Sequence, residues 1–291
     1  MRINSLRLTN FCGFEDVFVS FDDFSCLIGS NGIGKTTVLN AISLLCSSLD
    51  FKDDVGPEIA TEEEWVPKVT GQERLASYLR KNIRIGSDSF QLEGTFFHGG
   101  MEHVVQLGPG GFRRNDVVGQ DWWWPGIAFF AKFDAEMTNF QLRKALWPQF
   151  AAHYEGITGF PVEPQFYTET DLVGLGYDGE MAINFTIDKG KRGKIPCRLA
   201  SAGEKKIAKT LSQIVSLERP PHIALVDNLE AHVHHGRHLR MFEELKAMFS
   251  GIQVVSTTHS TVVIGKYEPN NDLIDLDRIF EEGKRCENTP K

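Results

Sequence analysis

The chain has 291 residues, 41% of them hydrophobic and 24% charged, a globular composition that excludes a disordered or fibrous protein. Its formal net charge is −8 at pH 7, which excludes coating of nucleic acid through overall charge and leaves only a local patch for such contact. The longest apolar runs, such as Ile223–Val226 and residues 127–130, are too short to span a bilayer.

Met1-Arg2-Ile3-Asn4 opens the chain without an apolar signal core. Five cysteines (Cys12, Cys26, Cys46, Cys197 and Cys286) lack C-x-x-C spacing, which argues against a zinc site or a disulfide framework. A reducing, cytoplasmic setting with no membrane contact is the expectation.

Residues 5–9 alternate polar and apolar, and Val17, Val19 and Phe21 recur at every second position, so two strands are predicted. Phe24–Ile28 is a short apolar run leading into glycines. Val38, Ile42, Leu45 and Leu49 then sit at helical spacing within Lys35–Leu49. Residues 50–72, acidic and proline-containing, read as a surface excursion. Residues 90–97 and 102–107 predict antiparallel strands turning at Gly99-Gly100. Residues 108–119 are glycine-rich and loop-like, 127–132 predict a strand, and 141–153 predict a helix. Residues 181–187 alternate as a strand and end in a turn over 188–193. Beyond Ser201, Ile207, Leu211, Ile214 and Val215 mark one face of a helix broken by Pro220-Pro221. The run 223–227 is a buried strand. A helix bearing Leu239, Phe242, Leu245 and Phe249 follows, then a strand at 253–256. No repeat and no heptad stretch long enough for a coiled-coil arm is present.

Four motifs carry chemistry. Gly29-Ser30-Asn31-Gly32-Ile33-Gly34-Lys35-Thr36 fits the P-loop pattern between a strand and a helix. Glycines let successive amides face an anion, and the helix N-terminus adds partial positive charge. Lys35 can reach the β- and γ-phosphates, Thr36 can ligate Mg²⁺, and Thr37 continues the nucleotide-binding run. Next, Ile223-Ala224-Leu225-Val226-Asp227 is an apolar strand ending in an acid, the Walker B pattern, with Asp227 on Mg²⁺. Ser201-Ala202-Gly203-Glu204 reads as a capping box; the same helix start, through Ser201, Gly203 and Glu204, can also bind phosphate. Finally, His259 in Ser256-Thr257-Thr258-His259-Ser260 follows a strand and can reach a γ-phosphate.

In this order, the motifs resemble the ABC-type ATPases of the SMC/RecF/OLD group. The opening Leu8-Thr9-Asn10-Phe11-Cys12-Gly13-Phe14 is similar to that group's first strand. The resemblance covers residues 1–50 and 198–265, but not the middle. It implies an α/β P-loop head with a central, mostly parallel sheet flanked by helices, plus an antiparallel β subdomain inserted between the P-loop half and the signature half. Residues 1–270 would form one domain, with lobes of about 1–165 and 166–270, and 271–291 a charged tail. The resemblance also implies a homodimer of heads in which Ser201 and Gly203 of one copy close the ATP of the other. His259 is then the switch histidine.

Two positions depart from the group. The glutamate that follows the Walker B aspartate as catalytic base is here Asn228, an amide that cannot take a proton from water. Either nearby Glu230 substitutes, or hydrolysis is slow and binding is the switch. Cys12 stands where a basic residue often lies. Gln141 is a weak candidate for the Q-loop. Lys189, Lys191, Arg192, Lys194 and Arg198 form either a DNA-contacting patch or a solvated hairpin turn. Trp122-Trp123-Trp124 suit a base, a partner or a core. His232, His234, His235 and His238 suggest a metal, but no Cys or carboxylate completes a ligand set; the resemblance instead makes 229–234 the D-loop at the dimer interface. Three readings stand: an ATPase serving DNA repair or anti-phage defence, a non-catalytic ATP-gated sensor or scaffold, and an SMC/RecF-like DNA-binding protein. The chain stops soon after the switch histidine, without the nuclease domain of OLD-type proteins, so a separate effector or nuclease partner is expected.

Overall fold

A computed structural model describes residues 1–49, 83–108, 111–114, 128–131, 140–167, 180–217, 219–267 and 272–287. The chain opens with a hairpin, β1 (Arg2–Phe11) and β2 (Phe14–Ser20), then β3 (Phe24–Ile28) and α1 (Lys35–Leu49). Next come β4 (Gln91–His98), β5 (Met101–Gly108), β6 (Gly111–Arg114), β7 (Ala128–Ala131) and β8 (Leu142–Arg143). α2 (Trp147–Thr158), β9 (Val162–Tyr167), β10 (Met181–Asp188) and β11 (Lys194–Pro196) follow. The last part holds α3 (Ala202–Val215), β12 (Ile223–Val226), α4 (His238–Met248), β13 (Gln253–Thr257), α5 (Thr261–Tyr267), β14 (Leu273–Asp275) and α6 (Leu276–Glu287).

The central sheet runs β14-β3-β13-β12-β7, with every pair parallel. Its strands read as unbroken apolar runs because both faces are covered. Ala224 and Val226 of β12 point into one core, with α2, α3, α4 and β10. Ile223 and Leu225 point into the other, with α1 and the first hairpin. Two antiparallel sheets lie outside these layers: β2-β1-β4-β5-β6, and β11-β10-β8 with β9 also on β10. Among the described residues, no helix is long and apolar enough to cross a membrane.

Three expectations change. The antiparallel subdomain is not confined to an insertion: β1 and β2 precede the P-loop and pair with β4 beyond it. The helix expected over 141–153 starts only at Trp147, after β8 and a short 3-10 turn. Pro148 in its first turn sets that start, and Gly159 at φ 71° ends it. The charged tail expected from 271 is, over 272–287, part of the fold. β14 pairs with β3, and Leu276 is fully buried. Ile279 and Phe280 pack against the same core as α1. The excursion at 50–72 and the three tryptophans lie outside the described residues.

Candidate functional site

β3, β12, β13 and β14 all run in one direction, so their carboxyl ends share one edge of the sheet, where open α/β sheets place ligands. The P-loop leaves β3 at that edge. Gly29, Gly32 and Gly34 adopt φ of 139°, 80° and 105°, a region strained for residues with a Cβ. A Cβ on Gly34 would also sit 2.4 Å from Phe14 Cζ. Val38 N–H donates to Gly34 O at 3.0 Å, so the amides of Lys35 to Thr37 precede the helical ladder at the positive end of α1. Lys35 Nζ folds back over the loop, donating to Gly29 O at 2.9 Å and Ser30 O at 3.0 Å. Burial pulls its ammonium below the ordinary lysine value, against the opposing pull of Asp277, Asp227 and Glu230.

Asp227 lies just past β12. Thr36 Oγ1 donates towards both its oxygens, at 3.0 and 3.2 Å, and Thr257 Oγ1 donates to Oδ1 at 2.7 Å. Thr257 Oγ1 also accepts the Asn228 N–H at 2.8 Å. One buried hydroxyl on β13 thus fixes the end of β12. A hydroxyl beside a carboxylate is a hard oxygen donor set suited to Mg²⁺. Asn228 is exposed, at φ 50°, and its carbonyl accepts Lys206 Nζ at 2.8 Å. Burial brings Lys206 down to about 8, while Glu230 and Asp227 oppose the fall.

Glu230 is buried, whereas Asn228, two residues before it, is exposed. Its Oε1 accepts the Thr258 hydroxyl at 2.7 Å and the His259 N–H at 2.6 Å. Its Oε2 is buried with no partner among the described residues. The carboxylate therefore braces the segment 256–260, whose His259 is exposed. His238 ties the same segment to 229–234. Its Nε2 lies 2.8 Å from Val233 O, which can only accept, so Nδ1 accepts from the Ser260 hydroxyl at 2.8 Å. His234 Nδ1 accepts the Gly236 N–H at 3.2 Å.

The capping box expected at 201–204 is formed in full. Glu204 Oε2 accepts from Ser201 N and Oγ at 3.2 and 2.9 Å. Its Oε1 accepts from Lys189 Nζ, with Arg237 Nη1 at 3.6 Å. Burial alone would raise this carboxyl; hydrogen bonds from Lys189 and Ser201 hold it below its ordinary value. The Phe160 ring lies under both cations, 4.2 Å from Lys189 Nζ and 5.2 Å from Arg237 Cζ. A Cβ on Gly203 would lie 2.5 Å from His232 O, so α3 starts directly against the 229–234 turn. Of the basic cluster, Lys189 is thus internal and Lys194 pairs with Glu163. Lys191, Arg192 and Arg198 are exposed, as is Gln141 just before β8.

Sequence spacing gave no signal for Lys206 or Asp277 and marked Lys189 only as one of a basic cluster; all three reach the site from remote segments. Asp277 at the start of α6 accepts Ser30 N–H at 2.6 Å and the Ser30 hydroxyl at 2.7 Å. Those hydrogen bonds hold its carboxyl below the ordinary value.

Comparison with known proteins agrees with this geometry. Residues 1–96 match a family model described as "AAA ATPase domain", and residues 53–265 one described as "AAA domain, putative AbiEii toxin, Type IV TA system". An SMC head bound to the C-winged helix domain of ScpA is 16% identical, with TM-score 0.63 and 94% of each chain covered. An SMC head with an extended coiled coil, bound to the C-terminal domain of ScpA derived from Pyrococcus furiosus, is 12% identical at TM-score 0.57, covering 94% of this chain and 92% of that one. The SMC head domain from Thermotoga maritima is 15% identical at TM-score 0.51, with 91% and 92% covered. At such identities the likeness is one of fold: a P-loop head built on a parallel sheet.

Proposed function

The chain belongs to the AAA domain family matched over residues 53–265, and from that premise we propose that it is an ABC-type ATPase whose two copies close head to head around ATP and Mg²⁺. The observation that carries this reading is the meeting of the Thr36 hydroxyl with both oxygens of Asp227, at 3.0 and 3.2 Å, beside a glycine loop capped by Lys35. Thr36 and Asp227 would hold Mg²⁺, which when bound neutralises phosphate charge. The amides of residues 29–37 and Lys35 bind the phosphates. Ser201 and Gly203, with Glu204 shaping their helix start, cover them from the second copy. His259, held by its own backbone N–H on Glu230, reaches the terminal phosphate.

Hydrolysis is slow in this reading. Asn228 cannot take the proton of an attacking water, and Glu230 spends one carboxylate oxygen on the switch segment. That observation favours a second reading, in which ATP binding alone gates an interaction. Single-turnover hydrolysis separates them. Asn228→Glu is expected to speed turnover by roughly 10²-fold or more, with Glu230→Gln disturbing His259 without removing a base. Fast parental turnover abolished by Glu230→Gln would overturn both statements.

The wider role we propose is DNA repair or anti-phage defence through a separate effector or nuclease, with direct DNA contact the alternative. Two of the similar SMC heads are bound to ScpA, and the family's description names a toxin of a type IV system. Direct DNA contact would use Lys191, Arg192 and Arg198. It predicts ATP-dependent, salt-sensitive binding that weakens when these are neutralised; salt-independent binding removes it.

A further inference from the structure

α6 does more than complete a sheet edge. From Leu276, fully buried beside β14, the first turn presents Asp277 to Ser30 through the two hydrogen bonds given above. Three residues on, at a spacing that puts side chains on one helix face, Phe280 stacks on Phe14. Their centroids are 5.2 Å apart and their planes 22° from parallel. Phe14 is itself buried and packs against Gly34. Phe280 is only partly buried, and beside it opens a cavity of about 340 Å³ whose wall includes Gly32, Gly34 and Thr37 of the P-loop. That is within the usual size range of small-molecule sites, roughly 300–1,000 Å³. Thr37 is the last of the residues whose amides would bind the phosphates, so whatever fills the cavity adjoins them.

We propose that Phe280, backed by Phe14 and set in place by the Asp277–Ser30 contact, is the stacking platform for the base of the nucleoside triphosphate held by the P-loop. The inference rests on the nucleotide-binding reading above and makes the C-terminal helix part of that site. Every base has a π-face, so a ring recognises it without reading its edge. Reading the edge requires polar groups that are left unpaired by the wrong base. Among the described residues, the side chains lining this cavity include no ionisable group and only one hydroxyl, that of Thr37. ATP and GTP therefore bind alike.

Equilibrium binding of ATP, GTP and inorganic tripolyphosphate to the full chain tests this, using the parent, Phe280→Ala, Phe280→Leu and Lys35→Ala. Phe280→Ala is expected to weaken ATP and GTP by roughly 5- to 100-fold, with Phe280→Leu, which keeps the apolar packing, in between. Tripolyphosphate, which has no base, binds both variants as it binds the parent. In the parent, ATP and GTP fall within about threefold of each other. Unchanged ATP affinity in Phe280→Ala, beside its loss in Lys35→Ala, overturns the inference and leaves the nucleotide reading intact. Equal loss of tripolyphosphate overturns it too, because the ring would then only support the loop. So does a preference of more than about tenfold between ATP and GTP. If Lys35→Ala binds ATP like the parent, the nucleotide reading itself fails.

Discussion

Glu204 is 5% exposed and still charged, so its partners decide what it contributes. Lys189 and Glu204 have side chains 13% and 6% exposed. Removing one member of such a pair leaves a buried charge. Lys189→Met is expected to cost roughly 2–4 kcal/mol, moderated by Arg237 at 3.6 Å. Chemical denaturation checks it; a loss below about 0.5 kcal/mol would mark the pair as an ordinary surface ion pair. The pair also has a pH signature. Glu204's carboxyl is lower in the folded chain than its ordinary value of 4.5. Its stabilisation is therefore complete above that value and is lost as pH falls through the lower folded one. Glu204→Gln should remove this part of the acid-induced loss. The contiguous residues of the site were legible in the sequence, because wrapping an anion needs adjacent amides and because a capping box lies within one turn. Lys189, Lys206 and Asp277 were not: each bonds a residue at least 15 positions away, and hydrophobic periodicity does not encode that pairing.

At the scale of elements, burial pattern and breakers gave four of the five central strands (β3, β7, β12 and β13) and α1, α3 and α4, since an apolar run or a 3.6-residue stripe is a local property. Sheet membership is not local. β1 and β2 read as strands, but nothing in their alternation said that they pair with β4 across the P-loop. β14 and α6 were lost among charges, although Leu276 is 0% exposed. That burial is testable. Leu276→Ala should cost about 2–4 kcal/mol by cavity formation, whereas a detached tail would leave the unfolding midpoint unmoved. Gly203 sets two effects against each other. Alanine is favoured over glycine in a helix by about 1 kcal/mol. However, its Cβ would lie 2.5 Å from the His232 carbonyl oxygen, a backbone atom that cannot swing aside. Overpacking of that kind costs about 1–3 kcal/mol, so strain wins and Gly203→Ala destabilises. The 229–234 turn should move with it, shown by faster amide exchange there than in the parent; a stabilised variant would contradict the packing.

At the scale of the whole molecule, the proposed head-to-head dimer would give each chain half of two sites. The P-loop, Asp227 and the switch segment sit at the carboxyl ends of β3, β12 and β13. Ser201 opens α3, whose buried face packs in the core on the other side of the sheet. Its helix start is braced by Lys189 and Arg237 of its own chain. A helix N-terminus with an exposed serine attracts anions, and in the head-to-head arrangement the anion it meets belongs to the second copy. This division of labour makes a prediction that neither half makes alone. Lys35→Ala abolishes phosphate binding in its own chain, and Ser201→Arg blocks the cover it offers to the other. Each variant alone should fail to form an ATP-dependent dimer. In a mixture, the heterodimer has one site carrying both lesions and one fully intact site, so ATP-dependent association, followed by analytical ultracentrifugation, should return in part. If Ser201→Arg alone dimerises with ATP as well as the parent, the two chains do not share their sites, and α3 starts with a capping box and nothing more.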